Sequence, residues 1–279
     1  MAERAPSNLA MRLLTAVVAV PAILALLYLA PPWGFYALVF PAAMVGSAEL
    51  FAMTHPRDRM AQAIGVLIAG TASASVYFFG DDPRVLVTLL VMVPIMGPFV
   101  TLARLGNIST AALRACALGF GPLFVAVPLT LLAVLHRDLG KAGPGFVVMT
   151  LMLAWFGDTG GYFAGRYLGR HKLYEAVSPK KTVEGALGGL AGSLVGAVWA
   201  SLTFAPSLPL SHAIPLALVA GACGQAGDLA ESLIKRSTGV KDSGAIVPGH
   251  GGVLDRVDAL LVTSTVVYLY TLWFRGGSP

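Results

Sequence analysis

Charge is what this sequence has least of. Asp, Glu, Lys and Arg make up 12% of its 279 residues, where a soluble domain carries about 25%. Hydrophobic residues make up 56%, and the mean hydropathy is +0.76. Together these exclude an ordinary water-soluble globule. Cysteine is nearly absent. Cys116 and Cys223 lie far apart in apolar surroundings and match no zinc or redox spacing, so a disulfide scaffold and a cysteine-held metal are excluded. Both are read as small buried hydrophobes. No Ser–His or Cys–His nucleophile arrangement stands out, and no repeated halves of the transporter kind are visible. The net charge of +5 does not imply nucleic acid, because membrane proteins gather Lys and Arg in their cytoplasmic loops.

What the sequence does have is a series of apolar runs near 20 residues, the length that crosses ~30 Å of hydrocarbon. Nine membrane helices are predicted, at 9–30, 34–54, 61–79, 84–103, 115–135, 146–165, 185–204, 213–234 and 257–274. The expected fold is therefore an all-α, polytopic integral membrane protein. The first run follows Arg4 and Arg12, lacks a clear cleavage site, and is expected to stay as a helix. Pro21, Pro94 and Pro128 fall inside spans and are expected to kink them. With the N-terminus cytoplasmic, 15 of the 19 basic residues fall in inner connections and 4 in outer ones. That asymmetry places the longest polar connections, 166–184 and 235–256, in the cytoplasm. The first 144 residues read as a scaffold of helices, and 145–279 as the part that carries chemistry.

The polar residues of that second part are not scattered. Asp228 and Asp158 lie within predicted spans, ~9 Å and ~12 Å from their cytoplasmic ends at the helical rise per residue. Intramembrane carboxylates face a bundle interior or a wet cavity. Asp228, Glu231 or Ser232, and Lys235 fall on one helical stripe that ends in Lys235-Arg236. Glu231 and Lys235 alone also fit a plain i,i+4 pair. Pro248-Gly249-His250-Gly251-Gly252 offers backbone that can approach a phosphate, and it leads into Asp255-Arg256-Val257-Asp258 at a helix start. Ser178-Pro179-Lys180-Lys181-Thr182-Val183-Glu184-Gly185 looks like a polyphosphate clamp, although Thr182, Glu184 and Gly185 also suit an ordinary helix start. Glu49, in the inner half of the second span, either lines this region or is structural. Acids, bases and glycines without a nucleophile–base pair point to phosphate chemistry, which needs positioning and charge neutralisation above all. A carboxylate pair can hold Mg²⁺, which prefers oxygen ligands.

The run Ser232-x-Ile234-Lys235-Arg236-x₄-Lys241-Asp242-x-Gly244-x₂-Val247-Pro248-x-His250-Gly251-Gly252-Val253-x-Asp255-Arg256-Val257-Asp258 resembles the motif of the phosphatidate cytidylyltransferases, the CDP-diacylglycerol synthases. Val247 stands where that family has a larger apolar residue. Ser178-Pro-Lys-Lys-Thr-x-Glu-Gly and Asp158-Thr-x-x-Tyr162-x-x-Gly165-Arg166 are similar to it too, so the resemblance covers about the last 125 residues. It implies CTP + phosphatidate → CDP-diacylglycerol + pyrophosphate, Mg²⁺ (with or without a second cation) on Asp228 and Asp255, and a homodimer. The implied place is the inner cell membrane, with the lipid drawn from the cytoplasmic leaflet. Ser178, Lys180, Lys181, Lys235, Arg236 and Lys241 would then face phosphates, with Thr182, Glu184, Asp242, Asp158 and Arg166 beside them. Arg256 either pairs with Asp258 or reaches pyrophosphate, and His250 either orients a phosphate or caps the loop. A CTP-dependent polyprenol kinase is the nearest alternative enzyme, and a transporter with intramembrane acids the alternative of another class. The Asp-Gly-x₂-Ala-Arg signature of CDP-alcohol phosphotransferases is absent.

Overall fold

A computed structural model describes residues 8–244 and 251–274. Ten helices and one hairpin follow in order: α1 (Asn8–Leu29), α2 (Pro32–Thr54), α3 (Arg59–Phe79), α4 (Pro83–Ala103), α5 (Ala111–Gly121), α6 (Val127–Asp138), α7 (Gly143–Leu168), β1 (Lys172–Tyr174), β2 (Ser178–Thr182), α8 (Val183–Thr203), α9 (Leu210–Ser237) and α10 (Leu254–Phe274). Among the described residues, eight spans are long and apolar enough to cross a membrane, α5 and α6 counting as one; Ala19–Leu29 of α1 is a shorter apolar stretch. The protein is thus an all-α, multi-pass membrane protein, and the predicted spans match the helices to within a few residues.

Proline decides where helices begin and bend. Pro32 and Pro83 sit in first turns, where a missing N–H leaves no bond unmade. Between α5 and α6, Pro122–Ala126 forms a π turn in which Val127 N–H reaches back to Pro122 O. That extra residue lets one long span continue past Pro122 and Pro128. Pro21 and Pro94 lie inside α1 and α4, as do Pro41 in α2, Pro98 in α4 and Pro215 in α9.

Buried apolar side chains from α2, α3, α6, α7 and α10 make the central core. Some polar groups inside it pair across helices: Tyr36 and Thr130 hydroxyls bracket Ser73 at 3.2 and 2.7 Å, and His136 Nε2 donates to Leu27 O at 2.8 Å, tying down the end of α1. Cys116 is exposed and Cys223 half-buried, so the expectation of two buried cysteines is corrected: an apolar run in a membrane helix has a lipid face as well as a core face.

The closest helix pair is α7 against α8, and small residues make it so. A Cβ on Gly160 would lie 2.3 Å from Gly188 O, one on Gly192 2.1 Å from Phe156 O, and one on Gly188 2.2 Å from Ala164 Cβ. Glycine at i, i+4 spacing (157, 161, 165 on α7; 185, 189 and 192, 196 on α8) lets the two backbones touch.

The connection between them is not an irregular loop. β1 and β2 pair antiparallel, Lys172 opposite Thr182 and Tyr174 opposite Ser178. Thr182 then caps α8, its Oγ1 accepting Gly185 N–H at 3.0 Å. α9 ends with Gly239 at φ +77°, the left-handed position that closes a helix, with Val240 N–H on Lys235 O.

Candidate active site

A cavity of about 460 Å³ opens between α7, α8, α9 and the hairpin. That is within the ~300–1,000 Å³ of small-molecule sites. Asp158, Tyr162 and Arg166 line it from α7, Lys180, Lys181 and Thr182 from the hairpin, Gln225 and Asp228 from α9, and glycines 157, 161, 165 and 185 supply the floor. The glycine seam is what makes room: bulk on either helix would fill the space.

Lys181 Nζ stands 2.6 Å from Asp228 Oδ2, each side chain about a quarter exposed. Asp158, Asp228 and Asp258 lie close enough to repel one another, and the charges of Lys181 and Arg256 offset that repulsion at Asp158. Because α9 runs to Ser237 and α7 to Leu168, Asp228 and Asp158 lie nine and ten residues from their helix ends. That is ~14–15 Å of helix, deeper than the sequence suggested. Arg166 donates to the Tyr162 hydroxyl at 2.5 Å and lies over the rings of Tyr162 and Tyr167. Lys180 and Arg256 form no ion pair among the described residues and present their charges outward. Gln225 was not singled out by sequence; its amide donates to Ala186 O at 3.1 Å and it walls the cavity one turn below Asp228.

A second cluster holds α9 to α10. Lys235, 8% exposed, sits between Glu231 at 2.5 Å and Asp255 at 2.6 Å. The other Asp255 oxygen, Oδ2, accepts from Ser243 N–H, the Ser243 hydroxyl and Gly252 N–H at 2.8–2.9 Å. Gly251, at φ +80°, supplies the backbone turn just before.

Several sequence candidates are therefore parts of the frame. Lys235 is buried in an ion triad. Arg236 donates to Val177 O and Val240 O, strapping the hairpin to the segment after α9. Glu184 accepts from Arg170 N–H and His171 N–H and pairs with the His171 ring at 2.6 Å, closing the turn before β1. Ser178 begins β2; Lys241 and Asp242 are exposed beyond α9. Asp258 accepts Ala259 N–H at 2.7 Å. Pro248, Gly249 and His250 lie outside the described residues.

The carboxylates suit a hard cation. Among the described residues Asp228 Oδ1 has one long contact, the Ser232 hydroxyl at 3.5 Å, and Asp255 Oδ1 accepts from Lys235, so each oxygen keeps lone pairs. No three His, Cys, Asp or Glu side chains form a ready cage among the described residues. A site of one or two carboxylates completed by water and phosphate oxygens is the Mg²⁺ pattern.

The model of the cytidylyltransferase family matches residues 10–274. Phosphatidate cytidylyltransferase of Bacillus subtilis is 40% identical over 138 residues, 50% of this chain and 51% of that protein. Proteins of the same name from Synechocystis and Brucella suis are 41% and 46% identical over 138 and 130 residues. They match over 49% and 45% of this chain, and 46% and 47% of their own lengths. The aligned stretch thus spans about half the length of the curated relatives.

Proposed function

The chain belongs to the cytidylyltransferase family, and from that premise we propose that it makes CDP-diacylglycerol and pyrophosphate from CTP and phosphatidate. The observation that carries this reading is the cavity itself, where Lys181 pairs with Asp228 and Lys180, Arg166 and Asp158 line the same wall within a membrane bundle.

The reaction joins a lipid phosphate oxygen to the CTP α-phosphorus and breaks the bond from that phosphorus to the α–β bridging oxygen. A phosphomonoester has its second pKa near 6, so the attacking oxygen is largely deprotonated at neutral pH. No general base is needed, and among the described residues the cavity offers none beyond its carboxylates. What must be overcome is repulsion between two polyanions. Lys180, Lys181 and Arg166 supply positive charge along the cavity wall, and Arg256 a further one at the start of α10. Lys181 exchanges Asp228 for a phosphate oxygen as substrate enters. Asp228 and Asp255 would hold Mg²⁺, which would supply charge neutralisation at the phosphates. Lys235 and Glu231 keep Asp255 in place rather than touching substrate.

The excess of basic residues at the ends of α2, α4, α7 and α9 supports a cytoplasmic N-terminus, a cavity facing the cytoplasm and placement in the inner membrane. Phosphatidate then enters from the cytoplasmic leaflet with its acyl chains left in lipid.

The test is label transfer. Purified protein with phosphatidate vesicles, Mg²⁺ and [α-³²P]CTP moves label into chloroform-soluble lipid, while [γ-³²P]CTP yields labelled pyrophosphate. Lipid labelled from the γ position makes the protein a CTP-dependent lipid kinase instead.

A further inference from the structure

Glu49 belongs to α2, in the half of the chain from which no described residue lines the cavity, yet it binds the segment that carries Asp255. It is 5% exposed. Its Oε1 accepts Val253 N–H at 3.0 Å. Its Oε2 accepts Leu254 N–H at 2.8 Å and the Ser243 hydroxyl at 3.2 Å. Val253 directly precedes α10, Leu254 opens it, and Asp255 is the next residue. The Ser243 hydroxyl lies within reach of both carboxylates, 3.2 Å from Glu49 and 2.9 Å from Asp255.

The surroundings are shaped to this carboxylate. A Cβ on Gly252 would come within 2.5 Å of Glu49 Oε2 and 2.2 Å of Ser243 Oγ, and one on Gly244 within 2.5 Å of Glu49 Oε1. Among the described residues no Lys, Arg or His forms an ion pair with Glu49. Its charge is met by the N-terminal N–H groups of α10, which have no partner within their own helix and carry the positive end of the helix dipole. The described groups that hydrogen-bond to it are all donors. An amide of the same shape would turn an NH₂ toward an N–H or a hydroxyl, so the site asks for a carboxylate and not merely for its volume.

We propose that Glu49 is a positioning residue for the transfer reaction: it fixes the first turn of α10, and with it the placement of Asp255 and Asp258 against Asp228. This rests on the reading of the cavity as the site of cytidylyl transfer. It also gives the N-terminal helices a share in catalysis, since α2 sets the geometry of groups some 200 residues later in the chain.

Glu49→Gln and Glu49→Asp, purified in detergent or nanodiscs beside the unaltered protein, carry the test through two readouts. Hydrogen exchange at the Val253 and Leu254 amides is expected to rise about tenfold or more in Glu49→Gln, with α7 and α8 unchanged. In the label-transfer assay, kcat is expected to fall about 10- to 100-fold while KM for CTP stays within about twofold, the signature of misplacement and not of lost binding. Glu49→Asp, which keeps the charge, is expected to recover part of kcat. Unchanged exchange at those two amides overturns the proposal, as does faster exchange with kcat unaltered or a loss confined to KM. If the unaltered protein transfers no label, the reading of the reaction fails, and the exchange data still decide whether Glu49 holds α10.

Discussion

The ammonium of Lys181, on the hairpin before α8, lies 2.6 Å from the carboxylate of Asp228 on α9. The pair joins the two polar segments that sequence had marked separately, and it does so at the cavity and not at the surface. Both partners keep about a quarter of their side-chain area open, so either can change partner when an anion arrives.

From that pairing follows a kinetic expectation. Lys181→Gln lowers kcat/KM for CTP by about 10²-fold, the loss of one charge-assisted phosphate contact in a partly desolvated site. A partly exposed ion pair contributes only about 0–1 kcal/mol to folding, so the melting temperature moves little. Steady-state kinetics and thermal unfolding on the same preparation check both.

The Glu231–Lys235–Asp255 triad behaves in the opposite way. Lys235→Met leaves two buried carboxylates without their cation and destabilises the bundle by about 3–5 kcal/mol. Adding Glu231→Gln, 1% exposed in the native protein, recovers part of that loss. Unfolding in detergent measures it, and equal stability of all three proteins would contradict the triad.

Backbone contact between α7 and α8 predicts a sharp contrast between two neighbouring positions. Gly188→Val forces a side chain into Ala164 Cβ and Gly160 O, 2.2 and 2.8 Å from where its Cβ must sit. Overpacking of about 1–3 kcal/mol or more and a smaller cavity are expected. Leu187→Ala, on the same helix but 62% exposed, leaves both folding and turnover near normal. Yield of monodisperse protein and CTP turnover distinguish them.

Acid sensitivity is expected at the end of α2, outside the spans. Burial holds His55 down to about 4 from its ordinary 6.5, helped by the charge of Arg114 and opposed by that of Asp58. The unfolded chain then takes up the proton more readily than the folded one. Stability from this group is full above pH 6.5 and is lost as pH falls toward 4. His55→Gln shrinks the fall in melting temperature between pH 7 and pH 5.

Spans were legible because hydropathy over 20 residues is a strong signal, and Asp158, Lys180, Lys181 and Asp228 because charge inside a greasy chain needs a reason. The hairpin was not: its strands, Lys172–Tyr174 and Ser178–Thr182, are short, polar and contain Pro179. Lys235 read as a phosphate ligand, with an i,i+4 pair to Glu231 as the plain alternative, and the third member of its triad, Asp255 from the next helix, lay beyond any spacing rule. Arg236 and Glu184 carried charge of the expected sign in the expected loops, but their bonds run to backbone groups that no side-chain pattern reveals. Glu49 meets Leu254 across 205 positions, beyond any local spacing rule. The α7–α8 seam was written in glycine spacing, which hydropathy does not see.

Turnover of Asp228→Asn tests the central claim, that cytidylyl transfer takes place in the cavity between the hairpin and α9. With [α-³²P]CTP, phosphatidate and Mg²⁺, and with folding verified by the same elution profile and melting temperature, the rate is expected to fall by at least about 10³-fold, the several kcal/mol that charge neutralisation at the phosphates supplies. A folded Asp228→Asn protein that labels lipid within about tenfold of the unaltered rate would contradict it.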